Sequence, residues 1–131
     1  MGENCPMQGI AVPDLPIEKG VNLRTLNAFG LPAVAHTLVR VRSDAELRRL
    51  VDHPDLGRAP KFVLGGGSNV VFTRDPQAVI VKVEVTGRRL VEQRDDAWIV
   101  EVGAGEPWHD TVAWTLEQGW PGLENLALIP G

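Results

Sequence analysis

The sequence predicts a mixed α and β fold in which a short βαβ unit is followed by a strand-rich segment and a helix. Three observations predict it: an alternating strand pattern that leads into a helix-capping motif, a series of β-branched runs in the middle of the chain, and a proline that opens a helical period near residue 107. With 131 residues, 44% of them hydrophobic, the chain has the size of one ordinary domain with a modest core.

The βαβ unit is predicted from three consecutive segments. Within residues 37–42, Val39 and Val41 alternate with Arg40 and Arg42, which is the two-residue period of a strand with one buried face. Residues 43–46 place a hydroxyl three positions before a carboxylate, the capping-box spacing of a helix start. Residues 61–64 return as a second strand, which we expect to be parallel to the first. The helix should end near residue 51 and present an apolar stripe of Leu47, Leu50 and Val51.

The rest of the chain is predicted to be mainly sheet, with one final helix. Residues 70–72 and 78–83 are apolar, β-branched runs and are interpreted as strands. Residues 90–93 and 98–102 flank a polar turn and predict a hairpin. The helix should begin at Pro107 and end at Gln118, burying a stripe of Trp108, Val112 and Leu116. Its polar positions are expected in solvent, namely Asp110, Thr111, Glu117 and Gln118.

A glycine loop lies between two of the predicted strands, with the sequence Gly65, Gly66, Gly67, Ser68, Asn69. Residues without a Cβ let the backbone approach a ligand closely and adopt positive φ. Inward-facing amides make an anion-binding concavity, so a phosphate or pyrophosphate is one expected ligand, and an ordinary tight turn is the alternative. The segment that follows is a predicted strand without a lysine, which excludes a Rossmann or Walker site.

Composition and charge exclude several classes of function. The net charge of −4 argues against a nucleic-acid partner, and no polybasic or long apolar segment indicates a membrane partner. Cys5 is the single cysteine, so no intrachain disulfide forms and a cytoplasmic location is expected. Residues 1–20 have no periodicity and are interpreted as a flexible extension that precedes a domain over residues 21–131.

Three isolated polar or aromatic residues are interpreted as structural rather than catalytic or ligand-binding. His109 stands at a helix start where a catalytic or cofactor role is conceivable, but no Asp, Glu or Cys cluster accompanies it and no metal site is expected. Trp120 has a better claim to line a pocket, although packing is the favoured interpretation. Glu124 is a lone carboxylate without a partner for acid–base work.

Five motifs within residues 22–131 are typical of one enzyme family. They are Asn-Ala-Phe-Gly at 27–30, Leu-Gly-Gly-Gly-Ser-Asn-Val at 64–70, Val-Gly-Ala-Gly at 102–105, Trp-His at 108–109, and Pro-Gly-Leu-Glu-Asn-Leu-Ala-Leu-Ile-Pro-Gly at 121–131. Through these motifs the chain resembles the UDP-N-acetylenolpyruvoylglucosamine reductases, also called UDP-N-acetylmuramate dehydrogenases. The resemblance implies an incomplete α+β FAD-binding domain of the vanillyl-alcohol-oxidase type, in which two subdomains hold FAD between them.

The resemblance also implies site residues and an activity. The FAD phosphates would be held by Gly65, Gly66, Gly67, Ser68 and Asn69, and a second flavin-contacting turn would begin at Ile129, Pro130 and Gly131. NADPH would reduce the flavin, which would then reduce the enolpyruvyl group of a UDP-sugar substrate. The family often has Thr where this chain has Ala28, so a hydrogen bond of that hydroxyl is missing here.

The family's serine proton donor, its glutamate and its substrate-binding arginine belong to later segments. No catalytic residue is therefore assigned, and the chain is expected to be an amino-terminal part that is inactive alone. Three alternatives stay open: a free-standing flavin- or nucleotide-binding module, an inactive remnant, and another oxidoreductase on the same flavin scaffold.

Overall fold

The computed structural model describes residues 14–130, so residues 1–13 of the predicted extension and Gly131 of the predicted site lie outside the described residues. Within these described residues, six strands form two sheets, accompanied by two α-helices and two single turns of 3₁₀ helix. The strands are β1 (Ile17–Asn22), β2 (Val34–Val41), β3 (Lys61–Leu64), β4 (Val79–Val83), β5 (Arg88–Gln93) and β6 (Trp98–Val102). The helices are α1 (Asp44–Asp52) and α2 (Trp108–Glu117), and the 3₁₀ turns are Arg24–Leu26 and Glu124–Leu126.

The larger sheet has four strands in the order β1-β2-β4-β3. β2 and β3 both run parallel to β4, which confirms the predicted parallel βαβ unit, although β4 lies between its two strands. β1 pairs antiparallel with β2, with Ile17 opposite Val39. Residues 17–20, which the sequence analysis included in the flexible extension, therefore belong to a paired edge strand.

The predicted strand at residues 70–72 is wrong. This stretch has no strand geometry, although the side chains of Val70 and Phe72 pack against the core and Val71 is exposed. Val70 and Phe72 are therefore partly buried from a loop that does not join the sheet. The predicted hairpin is confirmed as β5 and β6, with a register irregularity between Leu90 and Glu92.

The sheet has a hydrophobic cluster on each of its faces. Leu38, Leu64 and Ile80 belong to one cluster, and Val39 and Val81 belong to the other. The alternation along β2 and β4 follows from the two-residue period of a strand, which sends neighbouring side chains to opposite faces. Together the clusters bury both sides of the central strands.

Helix α1 starts as predicted but buries less than its sequence indicates. The Glu46 N–H donates to the Ser43 hydroxyl oxygen at 3.2 Å, and the Glu46 carboxylate accepts from the Arg42 N–H at 2.6 Å, one residue earlier than in a standard capping box. Leu50 is fully buried, whereas Leu47 and Val51 are 45% and 58% exposed. The predicted three-residue stripe is therefore reduced to one anchoring side chain.

Helix α2 buries a different face from the predicted one. Pro107 is the residue before the helix rather than its first position, and Leu116 is 45% exposed. Thr111, expected in solvent, is buried with Val112 and Thr115. The two threonine hydroxyls donate to backbone carbonyls of the preceding turn, at 3.1 and 2.8 Å, which satisfies them in an apolar setting. Over residues 14–130, neither helix is long and apolar enough to cross a membrane.

Candidate functional site

A cleft of about 610 Å³ opens where β3 and β4 end. Its walls come from the glycine loop through Gly65, Gly66 and Ser68, from Lys82 of β4, and from residues 104–109 and 128–130. The carboxyl ends of parallel strands are the usual place for a ligand in such sheets, because the loops that follow them converge there. The cleft thus unites the two segments that the family resemblance implies for FAD binding.

Two glycines of the loop, Gly65 and Gly67, have different roles. Gly67 is buried with φ of 70°, and a Cβ there would overlap the carbonyl oxygen of Leu26. Its own carbonyl accepts a hydrogen bond from the Ala28 N–H at 3.0 Å. At Gly65, by contrast, no protein atom lies within 4 Å of the Cβ position. Gly67 is therefore required by the packing of two loops, and Gly65 leaves open space beside the cleft.

The predicted site residues are brought together only in part. Gly65, Gly66 and Ser68 line the cleft on one side, and Ile129 and Pro130 line it on another. Gly67 and Asn69 belong to the same loop but are not among the residues that form the cleft wall. The glycine loop therefore presents its first two residues and its serine to the cleft.

Asn27 supports the glycine loop from behind. Its side-chain amide is buried, donates to the carbonyls of Leu23 and Leu31 at 2.8 and 3.1 Å, and accepts from the Leu31 N–H at 3.0 Å. These three bonds close the turn that carries Ala28, whose N–H holds Gly67. The sequence showed Asn27 only as part of a motif, since its partners are backbone groups that sequence spacing does not reveal.

Lys82 is a cleft residue that the sequence analysis missed. It lies opposite Leu64 across β3 and β4, and its Nζ donates to the Gly65 carbonyl at 2.8 Å. A signal was present, because this lysine interrupts an otherwise apolar strand that ends beside the glycine loop. Only the pairing of β3 with β4 shows that Lys82 lies beside the glycine loop.

Glu106 contributes a carboxylate to the cleft wall, but its charge is matched. It accepts from the Gly87 N–H at 2.7 Å and from Nε and Nη2 of Arg88 at 2.9 and 2.7 Å. The hydrogen bond from Gly87 and those from Arg88 lower the pKa of Glu106 below its ordinary value of 4.5. The carboxylate is therefore ionised at neutral pH and holds β5 against the start of α2.

The segment before Pro130 is fastened to helix α2. The Trp108 indole N–H donates to the Leu126 carbonyl at 2.8 Å. Leu128 has φ of 63°, and among residues 14–130 it is the one residue other than glycine with positive φ. This conformation costs a side-chain-bearing residue about 1 kcal/mol. It directs the chain so that Leu128, Ile129 and Pro130 line the cleft opposite the glycine loop.

The other singled-out residues divide between the cleft and packing. His109 is exposed, lies outside the buried face of α2 and lines the cleft.

The Trp120 ring packs edge-on against Trp114 with centroids 5.4 Å apart, which is the packing role favoured from the sequence. The Glu124 carboxylate accepts from the Gly122 N–H at 2.5 Å; hydrogen bonds from its own N–H and from Gly122 lower its pKa. No group of three His, Cys, Asp or Glu side chains within residues 14–130 has a metal-binding arrangement.

Comparison with known families shows which family the chain belongs to. The model of a family described as an FAD binding domain matches residues 35–131. The chain belongs to this FAD-binding domain family. The mixed sheet and two helices fit an incomplete α+β domain of that family, which confirms the fold implied by the resemblance.

Named relatives agree with this assignment. The chain is 55% identical over 123 residues to a UDP-N-acetylenolpyruvoylglucosamine reductase of Azoarcus sp. (strain BH72), with 91% of this chain and 35% of that protein covered. It is 53% identical to the protein of the same name from Burkholderia vietnamiensis (strain G4 / LMG 22486), covering 92% and 33% of the two chains. The chain therefore spans about a third of the length of these relatives.

A solved structure has the same fold. The crystal structure of UDP-N-acetylenolpyruvylglucosamine reductase from Thermus caldophilus superposes with a TM-score of 0.65 at 26% identity. The alignment covers 89% of this chain and 39% of that one.

The cleft suits FAD by its own chemistry. The exposed Ser68 and the Lys82 ammonium form a polar end of the cleft beside the open space at Gly65. Pro107, Leu128 and Ile129 form an apolar wall. A few polar groups on a largely apolar wall are typical of a cofactor site.

Proposed function

We propose that this cleft holds the phosphates of FAD and that the chain is the amino-terminal FAD-binding part of a UDP-N-acetylenolpyruvoylglucosamine reductase. The observation that carries the proposal is the meeting of the glycine loop with residues 128–130 across one cleft. Relatives of that name at 53–55% identity support the choice of reductase.

The residues proposed to contact FAD are those of the two loops. The backbone of the glycine loop and the Ser68 hydroxyl donate to phosphate oxygens, and the close approach is permitted by the missing Cβ of Gly65. Asn69 and Gly67 complete the loop, and Gly67 packs closely against the backbone of Leu26. Ile129, Pro130 and Gly131, the last outside the described residues, begin the facing turn. The full proposed set is Gly65, Gly66, Gly67, Ser68, Asn69, Ile129, Pro130 and Gly131.

The activity of the whole protein is part of the same proposal. Bound FAD supplies hydride transfer, with NADPH as the reductant and UDP-N-acetylglucosamine enolpyruvate as the substrate reduced to UDP-N-acetylmuramate. Over residues 14–130, the cleft contributes binding groups, and we assign it no proton donor: the carboxylate of Glu106 is engaged by Arg88 and Gly87. We therefore propose that this chain binds the cofactor but does not turn over substrate alone, and that it acts in the cytoplasm.

Titration of FAD into the full chain, followed by flavin fluorescence, tests the binding step. We expect saturation at a single site and a Kd weakened about tenfold by Ser68→Ala, because a hydrogen bond to a charged group is worth roughly 1.5 kcal/mol or more. Gly65→Val should weaken binding further by filling the open space, without lowering Tm.

Ser43→Ala is the matched control. It removes the cap of α1, so it should lower stability by about 1 kcal/mol and leave the Kd for FAD unchanged. The assignment of the cleft would be overturned if the unmodified chain did not bind FAD. It would also be overturned if Ser68→Ala and Gly65→Val bound FAD with the same Kd as the unmodified chain. NADPH oxidation driven by the enolpyruvyl UDP-sugar with the chain alone would overturn the claim that it is inactive by itself.

A further inference from the structure

Lys82 sits where the glycine loop leaves the sheet. It pairs with Leu64 in the parallel ladder of β3 and β4, so it lies beside the last strand residue before Gly65. Along β4 it follows Ile80 by two positions, which places it on the same face of the sheet as the cluster containing Leu64. The strand pairing therefore delivers its side chain to the rim of the cleft.

The ammonium of Lys82 is only partly used by the protein. Its Nζ donates to the Gly65 carbonyl at 2.8 Å, and a lysine has three N–H donors. Two donors are left for a ligand beside the exposed Gly65 and Gly66. The carbonyl it contacts is a neutral group, so the positive charge of Lys82 is not matched by a carboxylate in that contact.

The charge balance of the cleft singles out Lys82. Among the described residues that form the cleft wall, it is the one lysine or arginine, and Glu106 is the one carboxylate. Glu106 is paired with Arg88 through two hydrogen bonds. The cleft thus presents one uncompensated cation next to a loop of backbone donors, which is the electrostatic setting that attracts a phosphate.

We propose that Lys82 is a phosphate-binding and specificity-determining residue of the cleft, whose ammonium bridges the Gly65 carbonyl and a diphosphate oxygen of the ligand. This inference rests on the proposed function, since it assigns a contact within the same site. It makes the cleft select ligands that carry a diphosphate over the corresponding uncharged nucleosides. The lysine also fixes the position of the loop through Gly65.

Calorimetric titration of the full chain with ADP, adenosine and FAD tests the inference. Lys82→Met keeps most of the aliphatic stem and removes the charge, and Lys82→Arg retains the charge. We expect Lys82→Met to weaken ADP and FAD binding about tenfold, the effect of one charge-assisted hydrogen bond, and to leave adenosine binding unchanged. Lys82→Arg should retain most of the affinity, and raising the salt concentration should reduce the advantage of the unmodified chain.

Lys61→Met is the matched control. Lys61 lies at the opposite end of β3, and its Nζ also donates to backbone carbonyls, those of Gly57 and Ala59 at 2.7 and 3.0 Å. It does not line the cleft, so its substitution should leave all three ligand affinities unchanged.

The outcomes separate this inference from the proposed function. Tight FAD binding that is equal in the unmodified chain and in Lys82→Met overturns the role of Lys82 and leaves the FAD site standing. An equal loss of ADP and adenosine affinity, insensitive to salt, overturns the charge contact in favour of loop positioning alone. Failure of the unmodified chain to bind ADP or FAD overturns the cleft assignment itself and Lys82 with it.

Discussion

Arg88 and Glu106 form a two-pronged ion pair, with Nε and Nη2 of the guanidinium at 2.9 and 2.7 Å from the same carboxylate oxygen. Arg88 Nη1 also donates to the Asp110 carbonyl at 2.9 Å. The side chains are 23% and 11% exposed, so water screens this pair less than a pair on the open surface. It connects the first residue of β5 to the first turn of α2 and thereby holds one wall of the cleft.

Substitution of Arg88 should alter the pH dependence of stability. The pKa of Glu106 is lowered in the folded chain, so its stabilisation is complete above the ordinary value of 4.5 and is lost as the pH falls through the lower folded pKa. Arg88→Met removes one cause of that lowering. Denaturant unfolding should therefore show the variant less stable than the unmodified chain at about pH 7, with the gap narrowing at about pH 3.

Arg89→Met is the control for this experiment. Arg89 pairs with Glu101 on the neighbouring strand, but both side chains are more than half exposed. A surface ion pair contributes little, so this variant should match the unmodified chain at both pH values. A gap for Arg88→Met that does not change with pH would mean that its side chain acts by packing and not by charge.

Gly67→Ala should unfold the chain more readily. The residue has φ of 70°, and the added Cβ would overlap the Leu26 carbonyl oxygen. The left-handed backbone alone costs alanine about 1–2 kcal/mol, and the overlap adds to it. We expect the free energy of unfolding to fall by at least about 2 kcal/mol, whereas Gly65→Ala should change it by less than about 0.5 kcal/mol. Equal stability of the two variants would contradict the packing role of Gly67.

Asn27→Ala should destabilise the loop behind the glycines. The buried amide makes three hydrogen bonds with Leu23 and Leu31. Its loss removes the hydrogen bonds of the Leu31 N–H and carbonyl to this amide, whereas the Leu23 carbonyl keeps its bond from the Leu26 N–H. We expect a loss of about 2–3 kcal/mol in denaturant unfolding. Asn22→Ala, which removes one exposed hydrogen bond to the Arg24 N–H, should cost less than about 1 kcal/mol. Similar losses for the two would show that burial of the amide is unimportant.

Helix α1 provides a test of which apolar side chain anchors it. Leu50 is fully buried, whereas Leu47 is 45% exposed. Leu50→Ala should therefore cost about 2–5 kcal/mol, the usual range for a buried leucine, and Leu47→Ala less than about 1 kcal/mol. Comparable losses from thermal or denaturant unfolding would restore the three-residue stripe expected from the sequence.

Most strands and both helices were predictable because they depend on short-range patterns. Period-two alternation located β2, a hydroxyl and a carboxylate three residues apart located α1, and Pro107 located the start of α2 to within one residue. The strand at residues 70–72 was mispredicted because an apolar, β-branched run has the same appearance whether it pairs or packs from a loop. Burial of Thr111 was missed because its hydroxyl is satisfied locally by the Pro107 carbonyl.

The sequence by itself determined most of the local elements, the glycine loop and, through its motifs, membership of an FAD-binding family. Tertiary structure alone decided that β4 enters between β2 and β3, and this pairing brings Lys82 to Gly65. It also decided which glycine serves packing and which leaves room for a ligand, and it placed residues 128–130 across the cleft. The physical reason is that strand pairing and loop contacts join residues far apart in the chain, which local periodicity does not encode.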